Sequence, residues 1–445
     1  MGSAGPANPK LFEPLAIANG KHVLKHRVVH APLTRNRGTP VNKNDSREEP
    51  NRLWLANDLI KEYYTQRATD GGLIISEGLP PSLEVPKEVL ATTTYILAIS
   101  AIQIALWHLD QCVGSMPCTV GGAMPGVPAI HQAAQVESWK PVTEAVHAKG
   151  SIFYAQLWHS GRAMIPQHIG GPVPAPSAVP WDDPTEVFWY PPAHTTELCK
   201  YVDYPPIEMT VEHIKRTIDD YVKAAKNALE AGFDGIEVHG GNGYLPEQFL
   251  SSNSNQRTDD YGGSPEKRCR FVLELVEALA AAIGQENLAI RLSPFGLFNQ
   301  ARGTQRKETW GYLCRELKAR LPNLSYVSFI EPRYEQLFSE EDKQKFLDDW
   351  GMSNVDLSMF REIFAGTPFF SAGGFDAKTG KEAVEKGTYD AIVYGRYFTS
   401  NPDLVRRVKE DLPFNPYNRE RFYGPFEDPT IGYTDFATYD EQQKK

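Results

Sequence analysis

Eight short apolar runs, each followed by an amphipathic stretch, restrict this chain to very few folds. The runs are Arg27–Thr34, Gly72–Gly78, Ser151–Trp158, Gly235–Gly240, Leu288–Pro294, Tyr326–Pro332, Thr367–Gly374 and Ala391–Phe398. Each reads as a buried strand. The intervening segments with helical spacing are Asp58–Thr69, Glu137–Lys149, Val211–Ala231, Ser264–Ile283, Lys307–Leu321, Asp356–Ala365, Ala377–Lys386 and Pro402–Lys409. In Val211–Ala231, Ile214, Ile218, Tyr221, Val222, Ala225 and Leu229 share one side, with Thr210 placed to cap the start and Gly232 to end the helix. Near-continuous apolar strands alternating with helices call for a parallel sheet covered on both faces. The simplest closure is the α/β class in its (β/α)8 TIM-barrel form, a single domain.

Such barrels run to about 250 residues, whereas this chain has 445. The excess falls mainly in long loops after strands two and three. Residues 9–426 are expected to form the barrel and 427–445 a C-terminal tail packed irregularly on it. The net charge of −10 argues against a general nucleic-acid binder. Five cysteines without a C-x-x-C pair suit a reducing compartment. The N-terminus lacks the apolar core of a signal peptide, and the longest apolar run, Tyr95–Trp107, is too short to span a bilayer. The expected setting is cytoplasmic, with no membrane or nucleic-acid partner. No clustered Cys/His set or H-E-x-x-H appears, so no metal is expected. No G-x-G-x-x-G follows a strand, which disfavours a dinucleotide-binding fold.

Active sites in this architecture gather at the C-terminal ends of the strands. Those ends carry Pro32, Leu33, Thr34 and Arg35; Glu77 and Gly78; Gln156, Trp158 and His159; His239, Asn242 and Tyr244; Arg291; Gly373 and Gly374; and Gly395 and Arg396. The collection is rich in donors and glycines. Glu77 and Glu331 do not form a matched pair, which disfavours glycosidase chemistry. Gly-bearing ends of strands seven and eight suit a phosphate grip, with Arg396 adding charge. Arg291 inside an apolar strand needs a partner, either an electron-rich ligand or an acid such as Glu77. The stretch GIEVHGGNGY, Gly235–Tyr244, ends in two donors and a phenol. That equipment polarises a carbonyl and delivers a proton; a capped turn with a surface tyrosine is the plain alternative.

Ten segments in order, among them KLFEP (10–14), HRVVHAPLTRNR (26–37), QLWHSGR (156–162), the 224–250 run through H-x-x-N-x-Y at 239–244, RLSPFG (291–296) and YGRYFTSNPDL (394–404), resemble the Old Yellow Enzyme family. The likeness is to fungal-type members of these FMN-dependent ene-reductases. It implies FMN at the barrel mouth, with the phosphate near Gly373, Gly374, Gly395 and Arg396. Thr34 would meet the flavin C4 carbonyl, Gln156 the pyrimidine edge and Arg291 the N1/C2 side. Pro32, Leu33 and Gly78 would pack by the ring. NADPH or NADH would be the reductant in the same pocket. His239 and Asn242 would bind an enone oxygen, and Tyr244 would protonate the α-carbon. Trp158, Phe295 and Tyr423 would be pocket walls. Members also hold phenols as charge-transfer complexes. The implied protein is a small-molecule reductase of activated C=C bonds, monomeric or homodimeric.

Residues 85–120 depart from the family. They read as a helical lid, an oligomer contact or a gene-model artefact. The Pro-rich region 170–206 is expected to form an ordered, irregular cap over the mouth. Two functional alternatives stand beside simple reduction. One is a specialised secondary-metabolite aldehyde or enone reductase or isomerase. The other is a non-catalytic flavin- or ligand-binding protein disabled by the insertion.

Overall fold

In a computed structural model, eight parallel strands close into a barrel in chain order. They are β1 (Val28–His30), β2 (Leu73–Leu79), β3 (Ile152–Leu157), β4 (Gly235–Gly240), β5 (Leu288–Leu292), β6 (Tyr326–Ile330), β7 (Phe369–Ala372) and β8 (Ala391–Tyr394). β8 pairs with β1 through Ile392–Val28, Val393–Val29 and Tyr394–His30, which completes the ring. The residues described are 8–46, 50–82, 124–332, 344, 347–348, 350, 356–424 and 426–444. The atypical stretch 85–120 lies outside them.

Helices pack around the strands: α1 (Asp58–Arg67), α2 (Ala133–His147), α3 (Val211–Glu230), α4 (Pro265–Ile283), α5 (Arg306–Arg320), α6 (Ser358–Ile363), α7 (Ala377–Glu385) and α8 (Leu404–Lys409). Local chemistry sets their ends. Thr210 accepts from the His213 amide at the start of α3, and Ser264 from that of Lys267 at the start of α4, where Pro265 is the first helical residue. Most boundaries agree with expectation to within two residues and three move by four; one of these is β1, which stops at His30, not Thr34. α2 starts at Ala133, not Glu137, because Gln132 and Gln135 form a reciprocal cap. β8 stops at Tyr394, because Gly395 turns the chain into a short helix, Arg396–Ser400. Arg67 holds that helix by donating to the carbonyls of Phe398 and Thr399.

Strand alternation divides the side chains into two layers. Ile74, Phe153, Ile236, Val238, Ile290, Val327, Phe329 and Ile392 join the helices in the main core. Val29, Leu73, Ile75, Tyr154, Ala289, Tyr326, Phe370, Ala391 and Val393 fill the barrel. An N-terminal hairpin, Leu15–Ile17 paired with His22–Leu24, adds Ile17, Ala18 and Leu24 to that inner cluster and stoppers the end opposite the strand C-termini. Sequence periodicity did not disclose this hairpin, since three-residue strands carry too little pattern.

The chain after the last barrel helix returns to the body. Tyr433 is fully buried and stacks on Tyr63 at 4.2 Å with planes 2° apart. Arg35 and Arg37 lie 5.2 and 5.3 Å from its ring and donate to carbonyls of 422, 429, 431 and 432. Tyr433→Ala is therefore expected to cost about 3 kcal/mol. A fall in the urea midpoint without loss of secondary structure by circular dichroism is the check; an unchanged midpoint refutes the anchoring role. Among the described residues no helix is long and apolar enough to cross a membrane.

Candidate active site

β4 ends at Gly240 and the next four residues reverse the chain. Asn242 and Gly243 both take left-handed backbone, with φ of 55° and 67°. Asn tolerates that region and Gly costs nothing there. A Cβ on Gly243 would come within 2.3 Å of the Phe298 carbonyl oxygen, so no other residue fits. The turn brings His239, Asn242 and Tyr244 to one side. The Tyr244 ring stands edge-on to His239 at 5.1 Å and to Trp158 at 5.0 Å.

His239 Nδ1 accepts from the Gly241 amide at 3.3 Å. Burial, with Arg291 beside it, pulls the imidazole down to about 3. The ring is neutral at physiological pH, and its proton sits on Nε2, the nitrogen left to donate. Among the described residues Asn242 bonds only through its backbone: its N–H donates to Ser293 Oγ at 2.7 Å and its carbonyl accepts from Asn299 Nδ2 at 2.9 Å. The side-chain amide is left for a ligand. Burial raises the Tyr244 phenol well above its ordinary value, so it keeps its proton.

Below the turn the barrel holds a polar layer. Gln156 Nε2 and the Tyr326 hydroxyl donate to the wholly buried Glu237 at 2.8 and 3.0 Å. Burial raises the Glu237 carboxyl, while Arg291 opposes the shift. Arg291 pairs in register with His239 on one side and Ser328 on the other. Its Nε and Nη1 are buried without a hydrogen-bond partner. The acid facing Arg291 is thus Glu237, not Glu77. Glu77 lies in another cluster, where its carboxylate accepts from the Arg35 amide at 3.3 Å and burial raises it to about 7. Glu237 was legible in principle, because period-2 alternation puts it on the same face as His239.

The unpartnered Arg291 donors call for acceptor atoms above them. Pro32, Leu33 and Thr34 are half-buried at the end of β1, and Gly78 lies so close to Trp158 that a Cβ would approach its Cβ to 3.0 Å. Gly373, Gly395 and Arg396 are part-exposed and Gly374 exposed at the ends of the paired strands β7 and β8. Gln156 spends its N–H on Glu237, so its oxygen is the end not used in that bond. A flat, acceptor-edged ring with a terminal anion, as in FMN, fits this donor set. Among the described residues no group of three His, Cys, Asp or Glu could hold a metal ion.

The region after β3 forms its own apolar layer. Trp158, Ile165, Ile169, Val173, Trp181, Phe188 and Tyr201 cluster there, with Tyr244 and Tyr423 packed against them. Trp189, in the same region of the chain, meets Tyr423 at 5.5 Å and Phe298 at 6.5 Å. Trp189 and Phe298 remain 41% and 46% exposed and form an aromatic rim. Phe295, expected as a pocket wall, is not at the mouth. It is 1% exposed and packs at 4.4 Å on Trp350, because the residue after Pro294 turns outward to the helices. Phe298, three residues on, occupies the rim instead.

A model of the family described as NADH:flavin oxidoreductase / NADH oxidase matches residues 10–87 and 82–415, broken at the start of the atypical stretch. Flavin oxidoreductase hxnT of Emericella nidulans is 40% identical over 98% of this chain and 99% of its own. The 12-oxophytodienoate reductase 2 of Arabidopsis thaliana is 35% identical over 94% of this chain and 93% of its own. Among solved structures, the old yellow enzyme homologue of Zymomonas mobilis aligns with a TM-score of 0.74 and 30% identity, covering 96% of this chain and 99% of that one. A morphinone reductase variant in complex with tetrahydroNAD gives 0.73 and 32%, covering 98% and 100%.

Proposed function

The chain belongs to the NADH:flavin oxidoreductase / NADH oxidase family, and we propose that His239 and Asn242 grip its substrate's carbonyl oxygen while Tyr244 supplies the proton. It is an FMN-dependent oxidoreductase that draws electrons from NAD(P)H and reduces activated C=C bonds. The substrate class is an α,β-unsaturated aldehyde or ketone. The observation that carries the site reading is the 239–244 turn: a neutral imidazole with its proton on Nε2, a free amide at Asn242, and a protonated phenol 5.1 Å from the imidazole.

Bound FMN supplies the hydride that adds to the β-carbon. The residues do the rest. As the C=C bond is reduced, negative charge builds on the substrate oxygen. His239 Nε2–H and the Asn242 amide donate to it, each worth roughly 3–4 kcal/mol in a dry site. The neutral state of His239 keeps both contacts as hydrogen bonds, without surrendering a proton to the enolate oxygen. Tyr244 then donates to the α-carbon; a phenol suits that strongly basic centre. Trp158 and the cap behind it exclude water. Arg291, backed by Glu237, favours negative charge on the flavin edge; Thr34, Gln156 and Gly78 position the ring, and Gly373, Gly374, Gly395 and Arg396 take the phosphate. The rim of Trp189, Phe298 and Tyr423 favours substrates with a bulky apolar portion.

An anaerobic titration tests this. The purified protein is expected to be yellow, to bleach with NADPH or NADH, and to recolour stoichiometrically with 2-cyclohexenone. A flavin that bleaches but recolours only with oxygen rejects the enone assignment. Isolation without flavin, and failure to take any up, rejects the site as a whole.

A further inference from the structure

The turn that carries His239, Asn242 and Tyr244 is held by groups that touch no substrate. The Asn242 N–H donates to Ser293 Oγ at 2.7 Å. The Ser293 hydroxyl, its one proton thereby directed, donates to Glu247 Oε2 at 2.8 Å. The same carboxylate oxygen accepts the Gly243 N–H at 2.7 Å. Glu247 lies in the short helix Leu245–Leu250 and Ser293 just beyond β5; both are 0% exposed. The two left-handed residues of the turn are thus tied, directly or through one hydroxyl, to a single oxygen.

A carboxyl in such a place is costly to bury. Its other oxygen, Oε1, is buried with no hydrogen-bond partner and lies 3.9 Å from Arg306. Arg306 is itself bound to the carbonyls of Pro294, Gly296 and Ala301, on the loop that carries Asn299 to the Asn242 carbonyl. Left-handed non-glycine backbone persists where its surroundings over-determine it. Here both backbone groups of Asn242 are bound, and each bond traces back to the loop after β5.

We infer that Glu247 is a positioning residue: through Ser293 and the Gly243 amide it fixes the Asn242 backbone, and so aims the amide that shares the substrate oxygen with His239. The inference rests on the oxygen-binding reading of His239 and Asn242. Removing the acceptor oxygen lets the turn relax; the glycine-bearing ends of β7 and β8, which take the flavin phosphate on the proposed reading, lie on other strands, so FMN stays bound. The carboxylate is needed as an acceptor, not as a charge.

The probe is 4-hydroxybenzaldehyde, a phenol whose oxygen the proposed His239–Asn242 grip would take and whose binding beside FMN would be read by long-wavelength absorbance. In the holoenzyme, Glu247→Met keeps the volume and removes both acceptor bonds. Its dissociation constant for the phenol is expected to rise about tenfold or more with FMN content unchanged. Glu247→Gln keeps one carbonyl oxygen and is expected to stay within about threefold of the parent. Ser293→Ala cuts only the link to Asn242 and is expected to weaken phenol binding in the same direction. It also decides the matter should the Met variant not fold. Phenol binding within twofold of the parent in Ser293→Ala, or a Gln variant no better than a folded Met variant, overturns the inference. Undiminished phenol binding in His239→Ala with Asn242→Ala instead overturns the underlying reading, which separates the two failures.

Discussion

Tyr244→Phe is expected to slow reoxidation of the reduced enzyme by 2-cyclohexenone by about 10²–10⁴-fold, the usual worth of a positioned general acid. Reduction of the flavin by NADPH, and its reoxidation by oxygen, should persist near parental rates, because neither needs a proton delivered to the α-carbon. The split is the informative result. Loss of a hydroxyl from a ring packed on Trp158 and His239 leaves the packing in place, so a general collapse of the pocket is not expected. The raised phenol pKa adds a sign. A group held above its ordinary value stays protonated up to alkaline pH, so the wild-type enone step should show no loss from Tyr244 ionisation between pH 6 and about 9. Stopped-flow measurement of the two half-reactions checks this; equal loss of both makes Tyr244 a structural residue.

His239→Ala combined with Asn242→Ala is expected to abolish the long-wavelength band with 4-hydroxybenzaldehyde and to cut enone turnover by more than about 10³-fold. On the proposed reading, each side chain supplies one donor to the same oxygen. With both gone, the developing charge has nothing to replace the water that Trp158 and the cap exclude. FMN should remain bound, since Arg291 and the glycine-bearing ends of β7 and β8 lie on other strands. A band of parental strength would show that the phenolate is held elsewhere, with Arg291 the first alternative.

Much of this could be read along the chain. The eight strands lie where the apolar runs are, since burial on both faces leaves a continuous signal at each. Their C-terminal ends nominated His239, Asn242, Tyr244, Gln156, Arg291 and the glycines, because barrel topology puts all such ends at one mouth. Where the reading failed, residues of the same type competed for one place. Phe295 and Phe298 are both aromatic and both follow β5, and only the turn at Pro294 decides which one faces the core. Glu77 and Glu237 are both strand acids, and only strand order puts Glu237 beside Arg291.

By itself, then, the sequence determined the class of fold and the order of its elements and nominated candidate reacting groups, for these follow from periodicity and from residue types at strand ends. Tertiary structure alone decided the supporting contacts: Glu237 with Gln156 and Tyr326, Tyr433 with Tyr63, and Glu247 with Ser293 and the Asn242 turn. These join residues dozens to hundreds of positions apart through single hydrogen bonds or ring contacts. Such contacts depend on where strands meet around a closed barrel, which no local pattern encodes.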